Sequence, residues 1–271
     1  MIENALNRRE LIGLLGAAAI PAVYGADAPL VRVKLIEHVA VTVSNIDKAM
    51  IFYRSLFGND VVKDNKSSTR FLRMGPCYLK ISPAANGEAS GITRFGASVE
   101  NFQAASLKSS LIKVGIPAKE SATGLIVSDP DGAVFEFGPM DSWKLLRDTT
   151  PEPGPGAPLF QSRGMQHVAI LSADMRKSTE FYRKLFGMEY AMQGNPPGPR
   201  FQAGDTRVGL YVPPANKTGL DHYSVLVEKY DIPKVLGELK SLGAKAALNK
   251  DGGLPEFYDP DGIRMQVSTA A

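Results

Sequence analysis

A chain of 271 residues with 44% hydrophobic and 22% charged residues has the make-up of an ordinary folded protein, long enough for two domains of about 100 residues that each bury a core. The net charge of +3 comes from scattered rather than grouped basic residues, which excludes a nucleic-acid-binding surface of the usual kind. A single cysteine, Cys77, excludes an internal disulfide framework and a thiolate metal cluster; it reads as a buried strand residue.

At the N-terminus, Arg8-Arg9 precede an apolar run, Leu11 to Ile20, which meets Pro21 and small residues through Ala28. About ten apolar residues are too few to span a bilayer and suit the apolar region of a signal peptide. Asn7-Arg8-Arg9-Glu10-Leu11 resembles a twin-arginine export signal. Residues 1–28 are therefore expected to be a signal peptide, the protein to be exported to the periplasm or beyond the cell, and the mature chain to keep no stable membrane span.

From Val39 an apolar strand leads to Asn45, placed as a helix N-cap, and to a helix with Ile46, Ala49, Phe52, Tyr53 and Leu56 at helical spacing, closed by Gly58. Short strands follow at Arg70 to Met74 and Tyr78 to Ile81. Phe95 to Val99 is again a strand, followed by a helix from Phe102 to Val114 and Gly115. The proline- and glycine-rich stretch Thr149 to Pro158 can neither continue a helix nor join a sheet, so residues 141–163 are expected to be a linker.

Beyond it the chain repeats itself. Gln166-His167-Val168-Ala169-Ile170 restates Glu37-His38-Val39-Ala40-Val41, and Phe181-Tyr182-Arg183-Lys184-Leu185-Phe186-Gly187 restates Phe52-Tyr53-Arg54-Ser55-Leu56-Phe57-Gly58, both 129 residues on. Strands at Phe201 to Ala203, Val208 to Val212 and Tyr223 to Val227, and a helix from Ile232 to Leu242, complete the second copy. Asp129-Pro130-Asp131-Gly132 and Asp259-Pro260-Asp261-Gly262 close the two alike; they read as hairpin turns rather than calcium sites. The fold class is α+β, with four βαβββ modules paired into two domains, 35–140 and 164–268.

The Phe-Tyr-Arg-x-Leu-Phe-Gly phrase and the closing Asp-Pro-Asp-Gly resemble the vicinal oxygen chelate superfamily, the glyoxalases, extradiol dioxygenases and bleomycin-binding proteins. The four-module layout is most similar to the two-domain extradiol dioxygenases. The resemblance implies sheets curled into cups, with a metal held in the second domain only. It places the ligand positions at His167, His222 and Gln266 in the second copy and at His38, Arg94 and Glu136 in the first. Two imidazoles and a carboxylate would form a facial triad; Gln266 departs from it with a neutral amide. Fe²⁺ or Mn²⁺ is the expected metal, with Zn²⁺ or Ni²⁺ as alternatives. Arg94 cannot coordinate a cation, so the first domain is expected to be metal-free, with Arg94 and Glu136 as a buried ion pair.

Glu256 shares side-chain parity with Tyr258 and is a candidate ligand or general base; both are candidate catalytic residues. Arg264, on the face of Gln266, together with Tyr211 and Phe201, is a candidate for binding substrate. The segment Gln193 to Arg200 reads as a stiff rim loop. The expected function is that of a divalent-metal enzyme on a small oxygen-rich or aromatic substrate, extradiol-dioxygenase-like first and a glyoxalase-like lyase or isomerase second. The rival is a metal-free protein that sequesters a small molecule, which the missing carboxylate favours. A small-molecule substrate is the expected partner, and the layout is compatible with a homodimer.

Overall fold

The computed structural model describes residues 28–269 apart from 146, 147, 155, 195, 215, 216 and 249–254; the expected export signal lies outside the described residues. Four βαβββ modules follow one another. The first runs β1 (Val33–Val43), α1 (Ile46–Phe57), β2 (Val61–Asp64), β3 (Arg70–Met74) and β4 (Cys77–Pro83), and the second β5 (Gly91–Val99), α2 (Ala104–Lys113), β6 (Lys119–Glu120), β7 (Leu125–Ser128) and β8 (Val134–Gly138). After β9 (Thr149–Pro151) comes the third, with β10 (Ser162–Leu171), α3 (Met175–Phe186), β11 (Ala191–Gln193), β12 (Gly198–Ala203) and β13 (Thr206–Tyr211). The fourth has β14 (Gly219–Val227), α4 (Ile232–Ser241), β15 (Lys245–Leu248), β16 (Pro255–Tyr258) and β17 (Arg264–Thr269).

Each half builds one sheet by joining its two modules through their first strands. The orders are β6-β7-β8-β5-β1-β4-β3-β2-β9 and β11-β12-β13-β10-β14-β17-β16-β15. The seams β1/β5 and β10/β14 are antiparallel, and each seam strand also pairs in parallel with the last strand of a module. Residues on alternate positions of these strands therefore face either the helices or the hollow of the sheet.

The helices form as their sequence directs. The Asn45 side chain accepts from Lys48 N at 3.0 Å, and the Asp174 side chain accepts from Lys177 N at the same distance, each satisfying a first-turn amide. Gly58 and Gly187 stop α1 and α3 at φ of 107° and 84°, a region open to glycine. Ala49, Phe52, Tyr53 and Leu56 are buried along one face of α1.

The linker is more structured than its composition implies. Thr149 to Pro151 pair with β2 as an edge strand, a place where a proline without an N–H is tolerated. Arg54 and Arg70 then both reach Glu152.

The two halves share one hydrophobic core and are tied by a reciprocal lock. Asp259 Oδ1 accepts from Asp261 N and Ile263 N within its own turn, while its Oδ2 accepts from Tyr53 Oη of the other half at 2.8 Å. Asp129 Oδ1 does the same with Asp131 N and Ala133 N, and its Oδ2 accepts from Tyr182 Oη at 2.8 Å. The second aspartates of the turns accept from Ser44 N and Ala173 N, just ahead of α1 and α3. The repeated phrases are thus the two sides of one interface. Cys77 lies at the same boundary, its Sγ donating to Ile36 O and accepting from Met165 N, both at 3.3 Å; burial pushes its thiol up to about 12, so it stays protonated.

Glu37, 1% exposed, accepts from Ser142 N at 2.9 Å and Ser142 Oγ at 3.1 Å, holding the 3-10 turn that leaves β8. Burial pushes its carboxyl up to about 7, against the two bonds from Ser142. A carboxyl raised on folding adds stability that is fully present below its unfolded value and fades as pH rises through the folded one, here between pH 4.5 and about 7. The expected result is that Glu37→Gln gains on wild type by about 3 kcal/mol across that window. Thermal melts of both proteins at its two ends check this, and a pH-independent difference contradicts it.

Candidate metal centre

The seam of the second half brings two histidines together. His167 on β10 is set opposite Ser224, and His222 on β14 opposite Ala169, so the two side chains lie diagonally across the ladder on one face. Their Nε2 atoms are 3.2 Å apart.

The other ring nitrogens fix how those two atoms are used. His222 Nδ1 lies 2.7 Å from Asp221 Oδ2. A carboxylate only accepts, so the proton sits on Nδ1 and Nε2 carries a lone pair. Gln166 Oε1 accepts from His167 Nδ1 in the same way. Burial, then His222 and the cations Arg200, Arg207 and Arg264, push His167 down to about 3. Burial also lowers His222, and this outweighs the bond from Asp221. Both rings are therefore neutral at physiological pH, and two lone pairs meet across a gap that contains no proton to share.

This is an arrangement that a divalent cation fits. Nitrogen ligands at about 2.1 Å from a first-row metal and 3.2 Å from each other subtend about 100°. An acceptor behind each imidazole is the usual means of holding such a ligand in its tautomer.

The third position is where the site departs from a triad. Gln266 on β17 lies opposite Ser224 of β14 and Glu256 of β16. Its Nε2 donates to Glu256 Oε2 at 3.3 Å, which leaves the carbonyl Oε1 as the atom it can offer a cation. Glu256 is not a free carboxylate in this arrangement. Arg264 Nη2 donates to its Oε2 at 2.6 Å, and Tyr258 Oη lies 3.4 Å from Oε1. Burial alone would raise this carboxyl, but the bond and charge of Arg264 hold it below the usual range. Among the described residues no three His, Cys, Asp or Glu side chains converge on one point.

Arg264 also donates through Nη1 to Asp221 Oδ2 at 2.7 Å. It is engaged with two carboxylates rather than held open for substrate, and joins His222, Asp221, Glu256 and Gln266 into one network. Tyr258 stands at the edge of that network.

Two aromatic expectations divide. The Tyr211 ring lies 5.8 Å from that of His222 and lines a cavity of about 180 Å³ with His167 and Gln266. Phe201 does not. It is fully buried on the other face of β12 against Tyr182, because β12 pairs Phe201 with Val208, a core position. Its neighbour Arg200 takes the cavity face, opposite Gly209. Arg200 begins inside the strand rather than on a rim loop, since β12 starts at Gly198.

Arg200, Arg207 and Asp221 were not singled out from the sequence. The signal for Asp221 was present: Asp221 and Gln166 immediately precede the two histidines.

The first half holds its equivalents in the same register, with Arg94 opposite Ala40 and Glu136 opposite Gly96. Arg94 Nη1 donates to Glu136 Oε2 at 2.6 Å, and Ser121 Oγ and Thr123 Oγ1 donate to Oε1. His38 stacks on Tyr78 at 4.7 Å, its Nε2 3.8 Å from Glu136. Its ring fills the space a Cβ at residue 96 would need. Burial pushes His38 down to about 3 against the charge of Glu136. Glu136 therefore already has its cation in Arg94.

Comparison with known proteins agrees with this architecture. Residues 164–267 match the model of the Glyoxalase/Bleomycin resistance protein/Dioxygenase superfamily. No curated protein sequence matches the chain. Among solved structures, BphC, a halotolerant catechol dioxygenase, is similar at a TM-score of 0.68 and 16% identity, covering 88% of this chain and 87% of that one. The Mn(II)-bound glyoxalase from Novosphingobium aromaticivorans gives 0.68 and 16%, covering 88% and 83%. Homoprotocatechuate 2,3-dioxygenase from Arthrobacter globiformis gives 0.66 and 15%, covering 90% and 82%. Residues 164–267 match that superfamily's model, and with a first half built on the same plan the chain has the two-domain fold of these structures.

Proposed function

We propose that the protein is a divalent-metal-dependent enzyme acting on a small oxygen-rich or aromatic substrate in the cup of its second half. The observation that carries this reading is the pair of Nε2 lone pairs of His167 and His222 at 3.2 Å, each imidazole fixed from behind by Asp221 or Gln166. His167 and His222 would hold the metal, with Gln266 Oε1 as a weak third donor. The metal would supply a Lewis acid and a template for two neighbouring substrate oxygens. The protein's own part is to orient: Tyr211 flanks the cavity, and Arg264 keeps Asp221 and Glu256 in place.

Ring-cleaving dioxygenation agrees with the two-domain layout, and Fe²⁺ or Mn²⁺ with that chemistry. A second reading, a metal-free small-molecule binder, is favoured by the engagement of Glu256 with Arg264. Metal analysis of the purified protein separates them. One equivalent of a first-row metal, lost in His167→Ala, is expected; a metal-free protein that retains its ligands supports the binder. Oxygen uptake with catechol then tests the reaction, and a metal-loaded protein that leaves catechol and O₂ untouched removes the dioxygenase. Export is part of the proposal, read from Arg8-Arg9 and Leu11 to Ile20, and N-terminal sequencing of protein recovered outside the cytoplasm tests it. Among the described residues no helix is long and apolar enough to cross a membrane.

A further inference from the structure

We infer that the substrate of this cup carries an anionic group, a carboxylate in the first instance, received by Arg200 and Arg207. The inference rests on the proposed reading for where the reacting oxygens lie, and extends it to the far end of the substrate.

Arg200 is 6% exposed, yet has no carboxylate partner among the described residues. Its Nη1 donates to the carbonyls of Gly198, Pro199 and Leu210 at 3.1, 3.2 and 2.8 Å, and its Nη2 to that of Gln193 at 3.0 Å. Its Cζ lies 4.1 Å from the centre of the Tyr211 ring. These contacts fix the guanidinium in place and solvate it, but none of them carries a negative charge. Arg207, on the next strand, stands beside Tyr190 in the same cavity and also has no carboxylate partner among the described residues. Among the described residues no acidic side chain lines that cavity.

A buried charge is costly unless it is paired, and this chain pairs its other cup-facing arginines. Arg94 has Glu136, and Arg264 has Asp221 and Glu256. Among the arginines, the two copies show that the exception is specific to one cup. Register places Phe71 and Tyr78 of the first half where Arg200 and Arg207 stand in the second. In the first half those two aromatics close on each other, and Tyr78 stacks on His38. In the second, aromatic contact is replaced by two guanidiniums around a cavity beside His167. A metal held by neutral ligands would add to the same positive field. The counter-charge that buried Arg200 lacks is the substrate's, and exposed Arg207 lines the same cavity to share it.

Paired probes that differ only by a carboxylate test this: 3,4-dihydroxybenzoate against catechol, titrated calorimetrically into the whole protein loaded with Mn²⁺ and again after dialysis against EDTA. The carboxylated probe is expected to bind about tenfold to a hundredfold more tightly, with a ratio that shrinks as salt is added. Arg207→Gln should reduce that ratio, and adding Arg200→Gln should bring it close to one. Arg207 is exposed, so its single variant carries the test should Arg200→Gln fail to fold. Equal affinities in wild type, no binding of 3,4-dihydroxybenzoate, or an unchanged ratio in folded Arg207→Gln would overturn the inference. A ratio that persists in a protein found to hold no metal removes the metal reading and keeps this one. Bound metal with a ratio of one does the reverse.

Discussion

Alanine at Asp259 is expected to destabilise the protein by about 3–5 kcal/mol, although the residue does not line the cavity. Its carboxylate satisfies three donors at once: Asp261 N at 2.9 Å, Ile263 N at 2.8 Å and Tyr53 Oη at 2.8 Å. Asp259 is 5% exposed and Tyr53 fully buried, so water cannot replace what is lost, and each stranded donor costs about 1–3 kcal/mol. Tyr53→Phe removes the bond to Asp259 and leaves the turn intact, at about 1–2 kcal/mol. Asp259→Asn should stay within about 1 kcal/mol of wild type. Burial already raises the Asp259 carboxyl, so the site gives up little with the charge, and an amide still offers an acceptor to the turn. Denaturant unfolding of the three variants checks the order. An Asp259→Ala protein as stable as Tyr53→Phe would mean that the turn holds without its carboxylate.

That interface shows how the repeat is read from sequence and what the reading leaves out. The duplicated Phe-Tyr and Asp-Pro-Asp-Gly phrases were legible as helix and turn, because capping, periodicity and turn chemistry are local. That Tyr53 and Asp259 are partners, 206 residues apart, is a tertiary fact with no local trace. The four modules followed from the repeat, and the positions of His167, His222 and Gln266 from the family resemblance; the seam register puts these three on one face of the sheet.

The misplacement of Phe201 has a simple physical source. Strand faces alternate residue by residue, so a shift of one position exchanges cavity for core. Reading the segment up to Arg200 as loop left Phe201 to represent the face that Arg200 occupies. Arg264 and Glu256 were each placed on the correct face, but sequence could not show that they engage each other before either meets a ligand.

Two substitutions around His222 are expected to move metal affinity in opposite directions. Asp221→Asn should weaken binding of Mn²⁺ or Zn²⁺ by about 10–100-fold. The carboxylate holds the His222 proton on Nδ1 and so keeps the Nε2 lone pair turned toward His167. It also offsets the Arg264 charge at 2.7 Å. Asparagine gives up that charge and can meet the ring with a donor, which favours the tautomer whose Nε2 is blocked. Arg264→Gln acts the other way. It removes a positive charge that lowers His167 and His222 alike, and it releases Glu256, which lies opposite Gln266 on the adjacent strand. A carboxylate freed beside two imidazoles supplies the anionic third donor that the wild-type site keeps engaged, so affinity should rise. Competition against a chromophoric chelator measures both variants. Loss of affinity in both folded proteins would mean that Arg264 supports the centre rather than restrains it. No change in either would place the cation, if one binds, away from His222.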